Sequence, residues 1–171
     1  MKNAAIPLLF AILLGSSRAP QQPTNGSLAG VWTLITVENV ETNGNRTLPY
    51  GDSPSGQLIL EANGDYSIQI LAAERPKIAA NDRTQGTPDE NAALVKGSNS
   101  HFGTYTIDTV THHLTFHIEH AFYRNWEGTV QDRSYTLENN ILRYVIAHPS
   151  SGSSSTTAVA VWRRELPSRR H

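Results

Sequence analysis

The stretch Gly56–Leu71 reads GQLILEANGDYSIQIL and contains two β-type runs that flank Asn63–Gly64. An Asn-Gly pair between such runs favours a two-residue hairpin turn of type I′, because both central residues of that turn need a positive φ. The stretch therefore predicts a β-hairpin with its turn at Asn63–Gly64. This hairpin sets the fold class to test along the rest of the chain.

Six more runs of the same kind lie before and after the hairpin, at 28–38, 102–108, 112–122, 128–138, 141–148 and 156–165. The last three follow short turns or the loop PSSGSSS, and Asn139–Asn140 again tolerates positive φ. Eight runs with short connections predict an all-β fold, an eight-stranded antiparallel up-and-down barrel. A β-sandwich is the alternative, less favoured because sandwiches use longer links between sheets. A barrel of this size is filled by side chains or holds one small ligand.

One segment is predicted to be helical. Pro88–Lys96 begins with proline and acidic residues, which suit a helix N-terminus, and Gly97 follows it. This helix lies in the long segment 72–99, which is too long for an ordinary hairpin loop. We expect the segment to be either a lid over the barrel mouth or a surface loop along the wall.

Composition limits the possible partners and the chemistry. The 171 residues suit one domain, and a formal charge of -1 gives no global field that favours nucleic acid. The chain has no cysteine, which excludes disulfides, thiolate metal sites, cysteine nucleophiles and a lipoprotein anchor. No GxSxG, P-loop or GxGxxG motif occurs, and we expect no cofactor.

The N-terminus has the order of a secretory signal peptide. Lys2 is followed by the apolar run 4–14 and then by small residues, so residues 1–19 are assigned as the signal, with the cleavage point left open. The apolar run is shorter than the ~20 residues that span a bilayer, and no stable membrane anchor is expected. We expect a secreted or periplasmic protein with a barrel domain at 27–165 and a basic tail at 166–171. A buried N-terminal helix is the alternative.

Several motifs resemble a known family. LAGVWTL, with Gly30-x-Trp32, resembles the signature of the lipocalins and the wider calycins. LPYGDSPSGQLILEANGDYSIQI, FGTYTID, VTHH and NWEGTVQDR are similar to the bacterial and fungal lipocalin-like domain family, over about residues 28–162. The resemblance implies that Trp32 closes one barrel end beneath a stacked arginine, here Arg163 or Arg164. Some fungal relatives act on small polyketide-like molecules.

The stretch THHLTFHIEH, at 111–120, holds four of the seven histidines. Strand alternation places His113 and His117 on one face, with Thr115 and Glu119, and places His112 and His120 on the other. His113 and His117 are then roughly 13 Å apart along the strand, too far to share one zinc ion. We therefore predict no metal site here.

The resemblance also suggests site residues. His113 and Arg133 match a family histidine and arginine, so His113 is a candidate base and Arg133 a candidate anion holder. The candidate ligand-binding residues are Tyr66, Arg75, Tyr105, Trp126 and Gln131. Against this, Leu114, Phe116 and Ile118 form the better core face, which would turn His113 to solvent. Both orientations stay open.

Three functions follow from these alternatives. The first is binding of a small, mainly apolar molecule inside the barrel. The second is an isomerase or cyclase that acts on a carbonyl-bearing, polyketide-like substrate with His113 and Arg133. The third is a filled barrel that acts only through its surface.

Overall fold

The computed structural model of the protein describes residues 28–150 and 155–166, so the signal peptide expected at 1–19 and most of the basic tail lie outside the described residues. The elements in chain order are β1 (Gly30–Glu41), β2 (Arg46–Thr47), β3 (Ser55–Leu60), β4 (Asp65–Leu71), α1 (Pro88–Lys96), β5 (Ser98–Asp108), β6 (His113–Ala121), a 3₁₀ helix (Arg124–Trp126), β7 (Val130–Glu138), β8 (Ile141–Ile146) and β9 (Thr156–Arg164). No helix in these ranges is long and apolar enough to cross a membrane.

Eight of the strands form a closed antiparallel barrel. From β3 to β9 each strand pairs with the next one along the chain, and β1 pairs with both β3 and β9. The β1–β9 pairing closes the sheet on itself and confirms the predicted up-and-down barrel with one short helix. The two-residue strand β2 adds only a short pairing with the far end of β1.

The turn of the first predicted hairpin differs in type from the prediction. β3 and β4 do pair, with Leu60 opposite Tyr66. Of the two turn residues only Gly64 has a positive φ, 98°, and its N–H donates to the Glu61 carbonyl. The hairpin loop is therefore a tight turn followed by a bulge, in which Gly64 is the left-handed residue. It is not a type I′ turn, in which Asn63 would also have a positive φ. Asn139 and Asn140, in contrast, both have positive φ, as that turn type requires.

The helix α1 has the bounds that the sequence predicts, and its start is stabilised by side chains. Thr87 accepts a hydrogen bond from the backbone of Glu90, while the Glu90 carboxylate accepts one from the backbone of Thr87. This reciprocal pair is a capping box, and it satisfies two backbone N–H groups that a helix start leaves unpaired. The Gly97 N–H in turn donates to carbonyls of the last turn.

Bulges decide which residues face the interior. In β6 the register shifts between the pairs Phe102–His120 and Gly103–Ile118, which leaves Glu119 as an extra residue. A Cβ at Gly103 would lie 2.2 Å from the His117 carbonyl oxygen, so glycine is needed opposite this bulge. A similar shift in β1 occurs between Leu34 and Thr36. Beyond each bulge, the inward face of the strand is displaced by one residue.

One end of the barrel is closed by Trp32, which is fully buried. Its indole N–H donates to the Leu28 carbonyl, and the guanidinium carbon of Arg164 lies 4.1 Å from the centre of its ring. Arg164 also donates to the Ala29 carbonyl at 2.6 Å. Of the two arginines that the sequence offered for this stack, the structure places Arg164 on the ring, while Arg163 points outward and is exposed. At Gly30, a Cβ would lie only 3.0 Å from the Arg164 guanidinium.

Replacing Arg164 by methionine is expected to lower the free energy of unfolding by about 1–2 kcal/mol, because it removes the stack on Trp32 and the bond to Ala29. The matched change Arg163→Met removes the same charge from the outer face and is expected to stay within about 0.5 kcal/mol of the parent. Urea unfolding followed by tryptophan fluorescence measures both. Equal losses in the two variants would show that the stack adds no stability.

Candidate functional site

A cavity opens at the barrel end opposite Trp32. It lies inside the barrel, against the later part of β1 and the earlier part of β9. The empty space between its atoms, including the part of the mouth that is open to solvent, amounts to about 610 Å³. Its lining residues come from six strands and from loops at the mouth: Val37, Asn39, Pro49, Tyr50, Ile68, Ile70, Asn99, His101, Trp126, Gln131, Arg133, Tyr144, Ile146, His148, Pro149, Ser150, Ala158 and Ala160. The barrel interior is therefore packed at one end and hollow at the other.

The wall of the cavity is mainly aliphatic on β4 and β9 and mainly polar on β5 and β7. Ile68 and Ile70 of β4 and Ala158 and Ala160 of β9 supply apolar surface. The polar side chains come mainly from β5 and β7, where inward-facing positions carry amide, imidazole and guanidinium groups. An apolar wall with a few polar groups on one side is the usual lining of a small-molecule site.

Arg133 is the most unusual of these polar groups. Its side chain points into the barrel and only 5% of the residue is exposed. One guanidinium nitrogen donates to Gln131 at 2.6 Å, and the guanidinium carbon lies 5.0 Å and 4.9 Å from the ring centres of Phe116 and Tyr144. Aromatic faces attract a cation, so these contacts offset part of the cost of burying the charge.

His101 lies beside Arg133 in the same wall and is 2% exposed. Its Nδ1 is 2.8 Å from the Tyr66 hydroxyl, and its ring meets Trp126 edge-on. Burial, together with the neighbouring Arg133 charge, lowers the pKa of His101 to about 3. Burial also raises the pKa of the Tyr66 hydroxyl. Both groups are therefore neutral at physiological pH, and the pair offers hydrogen bonds without adding charge.

Three atoms of the lining are buried without a hydrogen-bond partner of good geometry among the described residues. They are the Asn99 carboxamide oxygen, the Arg133 Nε and the Tyr144 hydroxyl. Buried polar atoms are nearly always satisfied by protein, water or a bound molecule. These three atoms add hydrogen-bonding capacity to the polar part of the cavity.

Four of the sequence-predicted residues come together here. Trp126, Gln131 and Arg133 line the cavity, and Tyr66 lies directly behind it, bonded to His101. Trp126 is held at the mouth by the 3₁₀ helix, where the Tyr123 ring packs edge-on against it. The strand β7 brings Gln131 and Arg133 inward together because they are two residues apart.

The remaining candidates lie elsewhere. His113 is on the outer face, where its Nδ1 bonds to Asp132 and 42% of its side chain is exposed. Tyr105 donates to the Glu61 carbonyl and Arg75 to the Ala72 carbonyl, and neither lines the cavity. Because His113 and Arg133 lie on opposite faces of the barrel wall, they cannot act on one molecule inside it.

In the histidine-rich strand β6, the apolar residues face the core and His113 faces outward, which is the second of the two orientations left open by the sequence. Leu114, Phe116 and Ile118 are all buried, as their apolar character favours. The assignment of His120 to this inward face was wrong, because the bulge at Glu119 turns His120 outward against Phe102. His112 is not in the strand at all and has a positive φ of 57°. Within the described ranges, no three histidine, cysteine, aspartate or glutamate side chains gather as metal ligands would.

The long segment before β5 does not form the mouth. Of the segment 72–99, only Asn99 lines the cavity, and it already belongs to β5, while α1 contacts β5 instead. Backbone bonds fix the ends of the segment, where the Ala72 N–H donates to the Gly97 carbonyl and the Ala73 N–H to the Tyr50 carbonyl. The segment is therefore a surface loop along the barrel wall and not a lid over the barrel mouth.

Sequence reasoning missed His101 and Asn99, which belong to the first four residues of β5. The segment SNSH has no apolar residue, so the apolar pattern of the sequence did not predict a strand there. Its polar residues nevertheless alternate, with Asn99 and His101 inward, because they face a cavity and not a packed core. If the strand FGTYTID is extended towards its N-terminus, every second residue faces inward, and this alternation would have identified Asn99 and His101.

Comparisons with known proteins agree with this architecture. A family model described as a lipocalin-like domain matches residues 29–165, which include every strand of the barrel. A search of curated proteins finds no significant match.

The buried His101 predicts a specific loss of stability in acid. The pKa of His101 is 6.5 in the unfolded chain and about 3 in the folded barrel. Between these two pH values, the unfolded chain binds a proton at His101 and the folded protein does not. Its contribution to stability is therefore intact above pH 6.5 and falls with pH, by at most about 1.4 kcal/mol per pH unit. In His101→Gln the free energy of unfolding is expected to depend less steeply on pH between 6.5 and 4.

The control for this change is His117→Gln, since His117 is exposed on the outer face of β6. Urea titrations at several pH values compare the three proteins. The assignment fails if His101→Gln and His117→Gln keep the parent's slope against pH.

Proposed function

The chain belongs to the lipocalin-like domain family, and from this premise we propose that it binds a small, mainly apolar molecule inside the barrel. The observation that carries the proposal is the cavity at the end of the barrel opposite Trp32. Ile68, Ile70, Ala158 and Ala160 offer an apolar wall to the body of such a molecule. The polar groups on the facing wall would fix its orientation, as they do in most small-molecule sites.

The two alternative functions have less support. A filled barrel that acts only through its surface is hard to reconcile with an open cavity lined by the buried side chains of His101 and Arg133. The isomerase or cyclase hypothesis relied on His113 as the base, and His113 lies on the outer face with Asp132. His101 is in the right place, but a pKa of about 3 makes it a weak base near neutral pH. Binding is therefore the function that we favour.

We also propose that the protein is exported. The support is the N-terminal sequence, in which Lys2, an apolar run and small residues follow one another as in a signal peptide. A barrel without cysteine needs no disulfide to fold, so it suits an oxidising compartment as well as a reducing one.

Ligand binding is tested by native mass spectrometry of protein purified from its host. We expect a mass excess of a few hundred daltons that disappears on denaturation, as for a small molecule held in the barrel. In Ala158→Trp the excess is expected to be lost, because the indole would occupy the cavity next to Asn39 and Ile146.

The matched control is Val159→Trp, which adds the same side chain one residue along β9, on the outer face. It should keep the bound mass, and circular dichroism verifies that both variants are folded. Absence of any bound mass in the parent, together with uptake of none from a host lipid and metabolite extract, contradicts the binding function.

Export is tested by fractionating the host and sequencing the N-terminus of the mature protein. We expect the protein outside the cytoplasm and a new N-terminus after residue 16, 17 or 19. Replacing Leu9 by aspartate, which interrupts the apolar run, is expected to retain the full-length chain in the cytoplasm. Full-length parent protein in the cytoplasmic fraction contradicts the proposal.

A further inference from the structure

The interior of the barrel contains a positive charge without a negative one. Arg133 is 95% buried and lines the cavity, whereas none of the lining residues is an aspartate or a glutamate. The ion pairs formed by the described residues do not include Arg133. The residues outside the described ranges cannot supply the missing side-chain carboxylate either, because all 15 acidic residues lie within 28–150 and 155–166.

Leaving a guanidinium in this state costs stability. Moving an ion out of water costs several kcal/mol unless a counter-charge and hydrogen bonds compensate for it. Phe116, Tyr144 and Gln131 compensate in part, and they also hold the guanidinium in one position. The Nε still has no partner among the described residues, so the group is fixed in place with hydrogen-bonding capacity left over.

The surroundings of Arg133 select the kind of anion. It is the one lysine or arginine among the described residues that line the cavity, and its neighbour His101 is neutral. A single fixed guanidinium matches a planar, singly charged carboxylate, with which it forms short, charge-assisted hydrogen bonds. The Tyr144 hydroxyl lies beside it, close to the Arg133 and Trp162 side chains, and its O–H can donate a further bond to the same anion. A doubly charged group such as a phosphate monoester would leave one charge uncompensated.

We propose, building on the proposed binding function, that the ligand is a carboxylic acid whose carboxylate replaces the missing counter-ion of Arg133. Its apolar body lies against Ile68, Ile70, Ala158 and Ala160, which form the aliphatic part of the lining. The carboxylate and the guanidinium neutralise each other inside the barrel. The acid is therefore bound in preference to neutral molecules of the same shape.

The test uses two probes that differ only in the head group, 4-phenylbutanoate and 4-phenylbutanamide, titrated by calorimetry at pH 7.5. The parent is expected to bind the carboxylate at least about tenfold more tightly than the amide, since a hydrogen-bonded charge pair adds more than 1.4 kcal/mol. In Arg133→Gln the two probes should bind equally. Inorganic phosphate serves as a third probe, an anion without an apolar body. It should bind at least about tenfold more weakly than 4-phenylbutanoate.

Arg143→Gln is the matched control, because Arg143 lies on the exposed face of β8 and its loss removes the same charge. It should keep the parent's preference for the carboxylate. A second readout separates a binding role from a structural one. Without ligand, Arg133→Met should be at least as resistant to heat and urea as the parent, because it removes an uncompensated buried charge.

Each other result overturns the inference. Equal affinity for both probes in the parent, or no binding of 4-phenylbutanoate, shows that Arg133 does not select carboxylates. Destabilisation or unfolding of Arg133→Met shows that the arginine is structural. The binding function has its own test, because a co-purified neutral molecule in the native mass spectrum would support binding and contradict the carboxylate. If 4-phenylbutanoate binds but the preference survives in Arg133→Gln, another group selects the anion and the inference is wrong.

Discussion

Closure of the sheet by the pairing of β1 with β9 is the constraint on which the rest of the structure depends. Without it the chain would expose two long strand edges with unpaired backbone groups. Closure also creates an interior that only every second residue of each strand can reach. Trp32 and Arg164 occupy one end of that interior because they lie in paired positions at the start of β1 and the end of β9. The remaining space lies at the other end, where it forms the cavity.

The same closure explains why Arg133 matters. On an open sheet its guanidinium would reach water, and its charge would be solvated at little cost. Inside a closed barrel it contacts two aromatic rings and one amide and lacks a carboxylate from any described residue. Under the proposed binding function, the stability given up at Arg133 provides a preorganised site, a trade that is common where function needs it. The neutral Tyr66–His101 pair beside it adds polarity but no second charge.

Much of the fold could be predicted because it depends on local patterns. The hairpin around Gly64, the turn at Asn139–Asn140 and the helix Pro88–Lys96 each follow from a few neighbouring residues. The turn type at Asn63–Gly64 was wrong because a bulge, set by pairing between strands, replaced the two-residue turn. The start of β5 was missed because its inward residues are polar, and a strand that faces a cavity lacks the apolar alternation of a packed one.

The sequence by itself determined the strand order, the short helix and the tryptophan plug. It also proposed Arg133, Gln131, Trp126 and Tyr66 as site residues, and the structure places these four at or beside the cavity. Only the tertiary structure decided that His113 faces outward, that Arg164 and not Arg163 stacks on Trp32, and that His101 lines the cavity. The physical reason is register. A one-residue bulge such as that at Glu119 reverses every side chain beyond it, and the partner strand, not the local sequence, determines where the bulge occurs.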